Sequence, residues 1–390
     1  MEPLTFPMTR SHPFDPPDAI QAMRTERPIA RVRYPDGKLG WLVTRRETVR
    51  TVLADTRFSA RQELRSNPFS PAKEPPPATP GSFIGMDAPE HTRYRRLLTG
   101  QFTVRRMRKL TEHIEQIAGQ RLDHMAQAGP TVDLVREYAM AIPAQVICEL
   151  LGVPQGHREQ FERQAAELNK PGTSMESLLK ALGEITGHLA ELIEAKRAEP
   201  ADDLLSGLIT EGTDLTQEEL TNIAFLLLGA GFDTTANVLS LGALALMLDP
   251  AQIPVLTDPQ TADNAVEELL RYLPVVPGTI RSALEDVELE GELVRAGESV
   301  MVSLPAANRD PERFPEGDRL DLTRPATGHI AFGHGIHQCL GQQLARVELR
   351  AALPALFRRF PGLRLAVPPE QVKLREHTAI YGVDELPVSW

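Results

Sequence analysis

Between Thr216 and Leu248 the chain carries about 33 residues of helical pattern, almost unbroken apolar from Ile223 onward. At about 1.5 Å per residue such a helix is roughly 50 Å long, enough to cross an entire globular protein. Any fold for this chain must therefore be built around it. Thr216 and Glu219 have capping-box spacing at its start, and Asp249-Pro250 stops it. A membrane span needs about 20 consecutive apolar residues. Here Asp233-Thr234-Thr235-Ala236-Asn237 interrupts the run, so the expectation is a buried helix in a soluble protein. A carboxylate in an apolar helix is costly to bury without a partner or a task.

Other helical patterns cover Leu110–Met125, Val135–Leu151, Arg158–Leu168, Met175–Ala198, Asp263–Tyr272 and Leu340–Phe357. Strand patterning is confined to 31–43, to 279–303 with a hairpin at 286–291, and to the tail. Thr44 and Glu47 predict a second capping box, opening a helix through Leu53. Six prolines between 67 and 81 exclude a regular element there and predict a long loop of the kind that often forms lids. The 390 residues read as one mainly α domain, 1–390, with a small β-rich region. A net charge of −11 argues against a general nucleic-acid binder. Two cysteines, Cys148 and Cys339, exclude a disulfide scaffold and fit a reducing compartment. The N-terminal residues show no apolar leader, so a cytoplasmic protein with no membrane segment is expected. Cys148 sits in an apolar helical run and reads as a core residue.

The sharpest local signal is Phe332-Gly333-His334-Gly335-Ile336-His337-Gln338-Cys339-Leu340-Gly341. Glycines permit turns and close approaches that a Cβ would block. Cys339 stands where the loop enters a helix, and the N–H groups there favour a thiolate. A thiolate in such a loop is a suitable axial ligand for haem iron. His334, His337 and Cys339 also offer three zinc ligands. Structural zinc usually takes four with paired spacings, and no Cys-x-x-Cys accompanies them.

This stretch resembles the haem-binding loop of the cytochrome P-450 family, Phe-Gly-x-Gly-x-His-x-Cys-x-Gly. Ala230-Gly231-Phe232-Asp233-Thr234 resembles that family's oxygen-binding groove, and Glu268-Leu269-Leu270-Arg271 its Glu-x-x-Arg pair. The resemblance implies a haem-thiolate fold with Cys339 as ligand to the iron of haem b. It implies cofactor contacts from His91, Arg95, Ala230, Gly231, Arg281, Phe332, Gly333, His337, Cys339 and Gly341. Asp233 and Thr234 would be the catalytic acid–alcohol pair supplying protons to dioxygen. Glu268 and Arg271 would form a buried ion network, with Arg324 as a third member, while Glu267 lacks the three-residue offset. The competing reading of Thr234 is a hydrogen bond back to the preceding helical turn.

The activity implied is monooxygenation: O2 and a hydrophobic, medium-sized organic substrate, hydroxylated or epoxidised in secondary metabolism. Electrons would come from a separate ferredoxin and ferredoxin reductase, and a monomer is expected. A peroxide-driven peroxygenase is one alternative, although such relatives usually lack the acid–alcohol pair. A haem gas sensor or carrier is another, and would not require that pair. From His91 to Thr111 the chain holds seven Arg or Lys and no Asp or Glu. In an acidic protein that predicts a docking surface for an acidic electron donor, with Arg105, Arg106, Arg108 and Lys109 its exposed members. The resemblance would wall the substrate pocket with the 60–86 loop, residues around 165–185, Phe225–Phe232, Val275–Thr279 and Thr378–Tyr381.

Overall fold

The structure is a computed structural model that describes residues 3–6, 8–69, 71, 75–103, 107, 110–158, 161, 174–211, 213–376 and 378–390. At its centre lies the helix Gln217–Leu248, opened by the expected capping box: Glu219 N–H donates to Thr216 Oγ1, and Thr216 N–H to Glu219 Oε2. This helix is long and apolar enough to span a membrane, but 67% of its most apolar stretch is buried inside the protein. Ala141–Leu151, Met175–Ala198 and Gln342–Arg359 pack on it and share its apolar core. Cys148 lies in that core, 1% exposed.

A six-stranded sheet flanks the helices. Its order is Leu4–Thr5, Ile29–Arg33, Leu39–Val43, Ser299–Ser303, Gly278–Ala283, Phe58–Ser59. Trp41 pairs in parallel with Val300, joining the N-terminal hairpin to strands from the last third of the chain. The hairpin expected at 286–291 forms between Val287–Leu289 and Glu292–Val294. The helix expected at Arg158–Leu168 lies largely outside the described residues. The first segment of the Val135–Leu151 helix is a π-turn, Val135–Ala139.

One local expectation fails. The helix Arg46–Ala54 forms, but Thr44 and Glu47 do not cap it. Thr44 Oγ1 donates to Pro28 O, while Arg46 N–H is accepted by Asp310, a carboxylate from far along the chain. A tertiary carboxylate has replaced the local cap.

In the helix Gln342–Arg359, Glu348 is 2% exposed and its Oε2 has no hydrogen-bond partner among the described residues. Burial pushes its carboxyl up from 4.5 to about 8. Between those values the folded protein binds a proton that the unfolded chain has released, so stability falls as pH rises through this window. Glu348→Gln cannot ionise, and its stability is expected to lose this downward slope. Denaturant unfolding at pH 5 and pH 8 checks it; parallel slopes for the two proteins would refute the neutral-acid account.

Candidate active site

The cysteine loop is shaped by backbone geometry. Gly333 and Gly335 sit at φ +72° and +75°, and a Cβ on Gly335 would overlap the carbonyl oxygen of Leu53. Cys339 N–H donates to Phe332 O at 2.9 Å, closing the loop, and Gly341 begins the helix Gln342–Arg359. The Cys339 side chain is exposed, although protein surrounds it closely: it looks into an internal space. Burial pushes its thiol up, against backbone N–H groups of Gly341 and Gln342 and the charges of Arg95 and Arg346. The helix-end donors expected from sequence are therefore present, but desolvation outweighs them. A bound metal cation supplies the charge that deprotonates a thiol outright. Among the described residues no three His, Cys, Asp or Glu side chains converge as a metal site, which removes the zinc alternative.

Beside the loop, five cationic or potentially cationic side chains crowd together. The His91 and His337 rings lie 4.0 Å apart. Burial, then Arg281, His91, Arg95 and Arg65, hold His337 down at about 3. Burial also lowers His91, with Arg95 and Arg281 adding to it. Arg281 is 5% exposed and falls to about 10 through burial and the nearby Arg65, opposed only by Asp87. Its Nη1 donates to Thr279 Oγ1 and to Ile280 O, neither of them an anion. Among the described residues, His91 Nδ1 and His337 Nε2 are buried without a partner. Buried donors left this way call for an anionic acceptor. Arg65 escaped the sequence reading because no pattern marks it.

The core helix offers a second open face. Gly229 and Ala230 are exposed at its middle and Thr234 is half-exposed, whereas Phe232, Asp233 and Thr235 are buried. Gly231 faces Ile147 of the neighbouring helix, so its missing side chain serves helix packing. Thr234 Oγ1 donates to Ala230 O at 2.8 Å, as the competing reading expected. Asp233 accepts from Arg375 Nη1 at 2.6 Å and Nη2 at 3.3 Å, and from Asn237 Nδ2 at 3.1 Å. Asn237 lies one turn further along the same helix, whereas no local pattern marks Arg375 as a partner. Among the pocket walls expected, two are tied together: Tyr381 N–H donates to Val275 O.

Gly382 approaches Asn237 so closely that a Cβ would overlap Oδ1 and crowd the Asn237 Cβ. Gly382→Ala is expected to cost about 2–3 kcal/mol and to loosen Asn237 from Asp233. A melting temperature equal to that of wild type would refute this.

Behind the loop, Glu268 and Arg271 are fully buried and doubly bonded at 2.6 and 2.8 Å. Arg324 Nε joins Glu268 at 3.2 Å, as expected. Arg271 also donates to Asn308 O, and Asn308 Oδ1 accepts from Ile330 N–H at the loop entrance.

A cytochrome P450 family profile matches residues 252–383, which include this network and the cysteine loop. Cytochrome P450 105C1 of a Streptomyces species is 49% identical over 100% of this chain and 99% of its own length. The chain belongs to the cytochrome P450 family. A vitamin D3 dihydroxylase of Streptomyces griseolus is 43% identical over 99% of this chain and 96% of its own. The crystal structure of CYP105P1 in complex with filipin I superposes with a TM-score of 0.93 at 41% identity, covering 100% and 99% of the two chains. The protein is thus a cytochrome P450 monooxygenase with the family's mainly helical fold, a haem cofactor, and a need for O2, substrate and a redox partner. The orphaned histidine nitrogens, the buried cationic side chains that Asp87 offsets only in part, and the open cysteine all fit a haem carrying two carboxylates.

Proposed function

We propose that this P450 is a single haem b domain, monomeric and cytoplasmic, that hydroxylates or epoxidises a medium-sized hydrophobic molecule with electrons from a ferredoxin and its reductase. The observation that carries the reading is the open Cys339 beside a buried cradle of His91, Arg281 and His337, whose cationic character Asp87 offsets only in part. Relatives named for vitamin D3 and a structure with filipin I support a bulky apolar substrate. Haem, when bound, would supply oxygen activation, favoured by electron donation from the Cys339 thiolate.

The chain's own residues do the rest. Cys339 is the ligand, held by the Phe332 carbonyl and the turns at Gly333 and Gly335. His91, Arg95, Arg281 and His337 hold the propionates, with Phe332 and Gly341 shaping the proximal side. Ala230 leaves the helix face open, and Thr234 Oγ1 is the hydroxyl that hands on a proton there. Asp233 is held by Arg375 and Asn237, so relay through its carboxylate requires the Arg375 pair to open.

Arg105, Arg106, Arg108 and Lys109, the expected ferredoxin-docking residues, lie outside the described residues. Arg93 is occupied by Glu219 and Asp214, whereas Arg96 is exposed. Arg96→Glu with Arg106→Glu is expected to slow reduction by ferredoxin most strongly at low salt, since exposed charges are screened beyond about 8–10 Å at physiological ionic strength. Stopped-flow reduction against ionic strength measures it, with dithionite reduction as control. Equal rates and salt slopes would leave the cluster as a solvated face. Spin-state shifts across a panel of hydrophobic compounds test the substrate class.

A further inference from the structure

Glu267, next to the buried Glu268, looks idle in the sequence, but in the structure it is heavily engaged. Its Oε1 accepts from Arg346 Nε at 2.7 Å and its Oε2 from Arg346 Nη2 at 3.0 Å. His329 Nε2 lies 3.1 Å from Oε2. Because His329 Nδ1 accepts from Ala331 N–H, the network assigns the ring proton to Nε2, which donates to Glu267. These donors outweigh desolvation and hold the carboxyl at about 2.

The two partners come from opposite flanks of the cysteine loop. His329 stands before it; Arg346 is in the helix after it. The Phe332 ring lies between them, 5.9 Å from the His329 ring and 4.6 Å from the Arg346 guanidinium. Phe332 O is the acceptor for Cys339 N–H. One carboxylate therefore fixes the entry, the exit and, through Phe332, the hydrogen bond at the cysteine itself.

We propose that Glu267 is a positioning residue for Cys339: by clasping His329 and Arg346 it holds the two ends of the loop at the spacing that presents the sulfur to the iron. This rests on the reading of Cys339 as the haem ligand. Groups that orient a metal's ligands commonly change affinity or activity by about 10–100-fold when removed.

The test is made on the ferrous–carbonmonoxy holoprotein. In mild urea its thiolate-shifted Soret band converts to the unshifted form, at a rate that reads how firmly the sulfur is held. Glu267→Ala is expected to speed this conversion about ten-fold. Arg346→Met should reproduce much of that change, and the double variant should fall well short of the product of the two effects, since both cut one clasp. A lowered melting temperature with wild-type conversion would show a merely structural role and overturn the proposal, as would effects that multiply independently. If Glu267→Ala yields no holoprotein, Arg346→Met and His329→Gln decide: faster conversion in both supports the clasp, and wild-type rates in both overturn it. A wild-type protein without the shifted band would instead overturn the ligand reading itself.

Discussion

Cys339→Ala is expected to fold, to bind haem weakly and to lose monooxygenase turnover to background. The side chain faces an internal space rather than the packed core, so truncation opens almost no cavity. Substitutions of that kind usually alter stability by no more than about 0.5 kcal/mol. What disappears is the thiolate. The reduced carbonmonoxy complex should show the ordinary Soret band in the variant and the red-shifted one in wild type. Cys148→Ala is the internal control: it is buried, it should cost about 1 kcal/mol, and it should leave the spectrum untouched. An unchanged shifted band in Cys339→Ala would falsify the assignment.

The second large effect is expected at the acid–alcohol pair. Asp233→Asn and Thr234→Ala should each lower product formed per electron by about 100-fold, the lower end of what a positioned proton donor contributes. Hydrogen peroxide should accumulate in place of product, while haem content and substrate affinity stay close to wild type. The two variants should separate in stability. Thr234 is half-exposed and its hydroxyl donates to Ala230 O within its own helix, so its loss falls within about 0.5 kcal/mol. Asp233→Asn leaves the Arg375 guanidinium without its close anion, with Asp384 only 3.8 Å away as a partial substitute. Removing one partner of a buried pair costs about 3–5 kcal/mol at most. Product per electron at the wild-type value in both variants would end the proton-delivery role.

What was legible in the sequence is what obeys a local rule. The core helix announces itself through its apolar run and the Thr216–Glu219 box, the Glu268–Arg271 pair through a three-residue offset, and the cysteine loop through its glycines. The failures share one cause: a partner supplied from elsewhere in the chain. Thr44 and Glu47 had the spacing of a cap, but Asp310 reached the helix end first. Asp233 was marked as a buried acid, yet nothing in a tail with no period pointed to Arg375 as its counter-ion. Glu267 lacks the three-residue offset to Arg271, and its partners His329 and Arg346 are recognisable only once the loop is folded back on its helix. Gly231 had a plausible reason beside a flat ligand and acquired a different one, Ile147, through helix packing.

The interleaved sheet has a consequence for synthesis on the ribosome. Leu39–Val43 pairs with Ser299–Ser303, and Phe58–Ser59 with Gly278–Ala283, so the outer edge of the N-terminal hairpin and the strand Phe58–Ser59 emerge with those partners still untranslated. Domains form as units during translation, and here the unit closes only after most of the chain has left the exit tunnel. The helices around Gln217–Leu248 can collapse in the interval, with the N-terminal hairpin waiting beside them. The cysteine loop is made after the last strand of this sheet, so the proposed haem ligand arrives once the frame that holds it can close. A nascent chain stalled near residue 290 is therefore expected to be helical, protease-sensitive at its N-terminus and unable to retain haem.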